Sequence, residues 1–168
     1  MRMIDPMIME FDRECATSLK LLERVPADKF DWAPHAKSMT LGKLANHVAT
    51  LPGWIGSSLL GEGFDFGDGK AGTPPTPTTT AELVAAFQTS VTEAKKAMAQ
   101  LDDEKAMGQW TLSGNGKAFF SMPRIALVRT ILINHSIHHR GQLSVYLRLL
   151  DVPLPSIYGP TADENPFA

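Results

Sequence analysis

Between Pro123 and Leu150 the apolar residues Val128, Ile131, Leu132, Tyr146 and Leu149 recur at three- and four-residue steps, so they share one face of a helix. His135, His139 and Gln142 fall on that same face, in the middle of what would otherwise be a stripe facing the core. Taking a polar group out of water without a partner costs about 1 to 3 kcal/mol, so a fold that buries this face must supply partners for all three. At about 100° per residue, His135 and His139 lie one turn apart with their rings projecting the same way. Two readings follow: the rings hold a divalent ion, with ligand nitrogens about 2.0 to 2.1 Å from it, or they are hydrogen-bonded core residues.

A second helix, from about Thr40 to Leu60, breaks its own apolar stripe in the same way. His47 takes a place among Leu44, Leu51 and Trp54. A third inward histidine makes a three-imidazole site the economical explanation for all three. Pro52 lacks an N–H and crowds the carbonyl of Val48, so a kink is expected close to His47.

Two more amphipathic segments complete a four-helix pattern. The first, about Pro6 to Arg24, places Ile8, Phe11, Cys15, Leu19 and Leu22 on one face. Cys15 reads there as a small buried hydrophobe and not as a reactive thiol. The third begins at a capping box, Thr79 with Glu82, and continues through Leu83, Phe87, Val91, Ala94, Met98 and Leu101. Glu93, Lys95 and Lys96 read as charges of its solvent face.

The connections differ in character. Val25 to Met39 is a linker in which Trp32 is an apolar anchor and His35 a solvated loop residue. Gly61 to Thr79, rich in Gly, Pro and Thr, is expected to be irregular and is a candidate lid or partner surface. It is long enough to return along a whole helix, so the second and third helices are free to run parallel. Trp110–Leu112 and Ala118–Phe120 flank Ser-Gly-Asn-Gly-Lys, a small β-hairpin that must lean on the helices. Pro123 suits the first position of the last helix, and Asp151-Val-Pro-Leu-Pro ends it. The tail beyond is ordered only if Tyr158 and the prolines dock.

Composition narrows the function classes. The 168 residues suit one domain, 1–168, with a real core. A net charge of -2 with scattered Lys and Arg offers no basic stripe for nucleic acid. No run approaches the roughly 18 apolar residues of a membrane span. One cysteine and no signal-type leader point to a cytoplasmic location.

Leu44-Ala-Asn-His47 before Pro52-x-Trp54, Asn134-His135-x-x-x-His139-Arg140-Gly141-Gln142, and a closing Pro155-x-x-Tyr158-Gly159-Pro160 together resemble the DinB-like family, over nearly the full length. The resemblance implies an all-α, up-down-down-up four-helix bundle, commonly a homodimer, holding a divalent metal through His47, His135 and His139. It also brings in thiol S-transferases and isomerases that use low-molecular-weight thiols such as bacillithiol or mycothiol, and hydrolases without an assigned substrate. Around such a site Gln142 would hydrogen-bond a ligand imidazole or a bound water. His138, about 60° from His135 on the side away from His139, reads as supporting or interface packing. Arg140 reads as a surface or dimer salt-bridge residue, and Gly141 as a point where another element comes close.

Three neutral imidazoles leave a divalent ion with an open coordination position, which suits activation of a thiol or water and not a closed structural site. No carboxylate joins the three histidines on their stripes, so no general base is nominated and the catalytic residues stay unassigned. Zinc is the first expectation, with nickel next and iron possible in principle, because imidazole suits all three. The leading expectation is a metal-dependent thiol S-transferase or hydrolase acting on a small electrophile. The alternatives are a non-catalytic metal-binding or ligand-sensing bundle involved in stress response, and a structural bundle whose histidines bond to one another.

Overall fold

The computed structural model describes residues 1–67 and 76–167. Helix α1 spans Asp5–Leu22, with Pro6 in its first turn, where a missing N–H costs nothing. Helix α2, Leu41–Ser58, starts where the Thr40 hydroxyl accepts from the Lys43 amide. It continues through Pro52 as one α-helix. Helix α3, Thr80–Met98, opens with the expected capping box between Thr79 and Glu82.

Contacts along the helices fix their directions. Gly53 of α2 faces Ser90 of α3, and Gly56 faces Ala94, so the two run parallel. A Cβ on Gly56 would stand 2.7 Å from the Ala94 Cα, so only glycine permits this approach. Helix α1 opposes α3: Thr80 bonds to the Val25 carbonyl at one end, and Arg2 reaches the Ala99 carbonyl at the other. The last helical stretch runs with α1, through Arg129 to Glu10 and Arg140 to Glu14, and against α2, through Tyr146 to Met39 and Arg124 to Leu59. The bundle is therefore up-down-down-up.

A short helix α4, Asp103–Met107, capped by Asp102, leads into strands β2, Gln109–Gly114, and β3, Lys117–Pro123. Asn115 and Gly116 turn between them at φ 51° and 76°, the positive pair that a tight hairpin requires. The hairpin is the expected one, and it carries a third strand. Strand β1, Gly63–Asp65, pairs parallel to β2 with Phe64 opposite Leu112. The sheet is tied to the bundle by buried Trp110, whose indole N–H donates to the Ser58 carbonyl at 3.0 Å. Arg124 donates to the Leu59 and Gly61 carbonyls, which satisfies the open end of α2. Gly61 to Thr79 is thus not wholly irregular, because its start supplies β1. Its reading as a lid or partner surface falls largely on residues 68–75, outside the described residues.

The last helix departs most from expectation. Pro123 ends β3 and caps the helix; α5 covers Arg124–Leu127, a π-helical segment covers Val128–Asn134, and α6 covers His135–Leu149. A π turn closes i to i+5, so it takes one residue more than an α turn and turns everything after it by about 100°. A straight helix places Tyr146 and Leu149 in phase with Val128. In the structure the buried positions beyond the π segment are His139, Arg140, Leu143 and Leu147, while Leu149 is exposed.

That slip corrects two site-adjacent readings. Arg140 is no surface residue: it is 2% exposed and bonded within the chain to the Glu14 carboxylate at 2.7 Å and the Tyr158 hydroxyl at 2.7 Å. Gly141 faces open space, with nothing within 4 Å of a Cβ built there, so no element approaches it.

Candidate metal centre

His47 projects from the middle of α2, which runs against the last helix, and His135 and His139 stand one turn apart at the start of α6. The antiparallel pairing sets the first opposite the other two. Their ligand-capable nitrogens all lie within 4.8 Å of one another. Nε2 of His47 is 3.5 Å from Nε2 of His135, and Nε2 of His135 is 2.6 Å from Nε2 of His139. His139 is buried and the other two are half-buried.

All three are held towards the neutral form. Burial, then the neighbouring His139 and His135, pushes His47 down to about 4. Burial is also the main cause that lowers His135, with His139 and His138 adding to it. His139 is lowered by burial, against the hydrogen bond to Gln142, which raises it. Neutral imidazole with a free lone pair is the form that binds metal. Gln142 sets which nitrogen of His139 has that lone pair: its Oε1 accepts from Nδ1 at 2.7 Å, so Nε2 is left bare and faces the other rings. Three neutral nitrogens converging on one point fit a divalent ion and leave further coordination positions to a ligand. Bare of an ion, three Nε2 atoms cannot all be satisfied by each other, because each contact needs one donor and one acceptor.

The remaining sequence candidates sort clearly. His138 is exposed and lies outside this group, its ring edge-on to His139 with centroids 4.9 Å apart. His35 is exposed in the linker, where its Nδ1 accepts from the Lys37 amide. Cys15 is buried, and burial pushes its thiol up to about 12, which keeps it protonated and inert. Trp32 packs on the core and meets Tyr146 edge to face.

A cavity of about 880 Å³ opens beside the histidines and includes His47 and His135 in its wall. Its floor and sides are mainly apolar, formed by Trp54, Phe64, Phe66, Trp110, Phe120 and Ile131. Along α3 it is lined by Ala86, Thr89, Ser90 and Glu93. None of these was read from the sequence as lining a cavity, although two signals were present. Phe64 and Phe66 sit two apart in an extended run, so they share a face. Ala86, Thr89, Ser90 and Glu93 form a small and polar stripe at three- and four-residue steps. Glu93, read as a charge of the solvent face, is exposed as expected and also lines the cavity.

Comparison with known proteins agrees with this architecture. The DinB family model matches residues 4–165. An uncharacterized protein of Bacillus subtilis (strain 168), YrdA, is 26% identical over 162 residues, which is 96% of this chain and 91% of that protein. A crystal structure of a DinB-like protein from Bacillus cereus ATCC 10987 aligns with TM-score 0.69 at 22% identity, covering 90% of this chain and 95% of the other. Another, of the DinB-like protein YjoA from Bacillus subtilis, aligns with TM-score 0.71 at 20% identity, covering 91% and 98%.

Proposed function

The chain belongs to the DinB family, and from that premise we propose that it is a metal-dependent enzyme of thiol S-transferase or hydrolase type acting on a small electrophile. The observation that carries this reading is the convergence of the His47, His135 and His139 nitrogens, two of these residues lying in the wall of a cavity of about 880 Å³. A closed structural site has no need of such a cavity, whereas a substrate does.

In this reading His47, His135 and His139 are the ligands, zinc the first expected metal and nickel or iron the alternatives. Bound there, the ion supplies Lewis acidity, which favours the deprotonated form of a thiol or water. The chain's own residues do the rest. Gln142 holds His139 by its Nδ1–H so that Nε2 faces inward. Trp54, Phe64 and Phe66 keep water from one side of the cavity and give an apolar substrate a surface to lie against.

The test is elemental analysis of tag-free protein beside the His47→Ala/His135→Ala/His139→Ala variant, followed by turnover of electrophiles with and without added thiols. About one metal per chain, absent from the variant, together with thiol- or water-dependent turnover that His139→Ala abolishes, is the expected result. Metal without turnover across the panel points instead to a ligand-sensing bundle, a reading favoured by the mainly apolar cavity wall. Absence of metal after incubation with zinc and nickel overturns both.

A further inference from the structure

We propose that the cavity beside the histidines selects a substrate with an apolar, aromatic-sized body and a positively charged nitrogen, the nitrogen being received by the Glu93 carboxylate. This rests on the reading of the cavity as the substrate site.

The apolar half of the subsite comes from β1. Phe66 follows β1 directly and its amide still bonds to the Ser113 carbonyl at 3.0 Å, so the alternation of the strand carries on and Phe64 and Phe66 face together while Asp65 faces away. The two phenyl rings pack on Trp54, with centroids 5.2 and 5.7 Å from it and 5.1 Å from each other. Asp65 is spent on the hairpin, where its carboxylate accepts from the Ser113 hydroxyl and the Asn115 and Gly116 amides. Trp54 and Phe64 are half-buried against the core and Phe66 is 57% exposed, so part of this aromatic surface is left to line the cavity. Aromatic faces attract cations as well as apolar groups.

The polar half comes from α3. Glu93 is the one charged side chain among the described residues lining the cavity. Its position depends on α2: a Cβ on Gly53 would stand 2.9 Å from Glu93 Oε2 and 3.0 Å from Ser90 Oγ. The absent side chain therefore leaves the carboxylate room to lie across α2, on the same cavity wall as Trp54. A carboxylate in the wall of a cavity that also presents aromatic rings favours a cation and disfavours an anion of the same shape. Because Glu93 is solvent-exposed, the discrimination is moderate, on the order of fivefold between charged and neutral forms.

The experiment uses three probes of one shape and different charge: 2-(2-naphthyl)ethylammonium, 2-(2-naphthyl)ethanol and 2-naphthylacetate. Their dissociation constants are measured by calorimetry and by quenching of tryptophan fluorescence, with metal content determined on the same samples. The expected order is cation tighter than neutral probe in the wild type, and, in the triple-alanine variant where no ion attracts the carboxylate, cation tightest and anion weakest. Glu93→Gln should bring cation and neutral probe within twofold, and Glu93→Lys should invert the order of cation and anion, with circular dichroism unchanged in both. Affinities independent of charge, a cation preference that survives Glu93→Gln, or no binding of any probe would each overturn the proposal. Wild-type protein that takes up no metal yet keeps the Glu93-dependent preference for the cation sinks the metal centre alone, and metal-loaded protein that binds cation and neutral probe alike sinks the Glu93 subsite alone.

Discussion

Gln142 and His47 carry the two sharpest expectations for single residues. Gln142 touches no other ligand histidine, yet its bond to His139 Nδ1 decides which nitrogen faces the centre. Gln142→Leu should weaken zinc binding by about 10- to 100-fold, measured by competition with a chromophoric chelator, while leaving the fold intact. His47 has a folded-state pKa pushed from its ordinary 6.5 down to about 4. Between those values the unfolded chain binds a proton that the folded chain refuses, so stability rises with pH across that window. Metal-free protein should therefore lose stability on acidification from about pH 6.5 towards 4, and urea melts of His47→Gln should show a smaller loss over the same range. Arg140 makes a different kind of contribution. Its removal leaves Glu14 buried without a counterion, so Arg140→Ala should cost about 3 to 5 kcal/mol by urea unfolding. The three histidines were legible from sequence because a polar residue inside an apolar stripe is conspicuous. Arg140 was not, because its stripe is displaced by a backbone event that leaves no mark in side-chain type.

That event, the π segment Val128–Asn134, is the element-scale lesson. Periodicity counted at 100° per residue described α1, α2 and α3 well, since each is a regular helix with an apolar face. It failed beyond Asn134, where one additional residue per turn rotates the chain. A deletion pair tests this account. Removing Thr130 from within the π segment should let it relax to α-helix with both flanks in place, and thermal melting should remain cooperative. Removing Gly141 from α6 should instead rotate Leu143 and Leu147 out of the core and abolish cooperative unfolding. Equal damage from both deletions contradicts the slip. Strand β1 was missed for another reason: three residues of parallel pairing have no signal of their own and depend on β2 for their partners. The same dependence on neighbours applies to α2 against α3. Gly56→Ala should improve helix propensity by about 1 kcal/mol yet lower the melting temperature, because the added Cβ meets the Ala94 backbone.

Across the whole molecule, both the bundle and the sheet line the cavity, and His47 and His135 stand on its helical side. No helix among the described residues is long and apolar enough to cross a membrane. The topology brings the tail back over both terminal helices. The Tyr158 hydroxyl accepts from Arg140 and donates to Glu14 at 2.7 Å, so α1, α6 and the last residues share one buried polar knot. The expected docking of Tyr158 is thereby met through its hydroxyl, with much of the ring still exposed. The up-down-down-up arrangement also has a consequence in time. His47 and His135 are 88 positions apart, the first on α2 and the second on α6. At about 5 to 20 residues per second of synthesis, roughly 4 to 18 s separate the appearance of the first histidine from that of its partners. A growing chain thus cannot bring the three histidines together until α6 has been made, however early α2 folds.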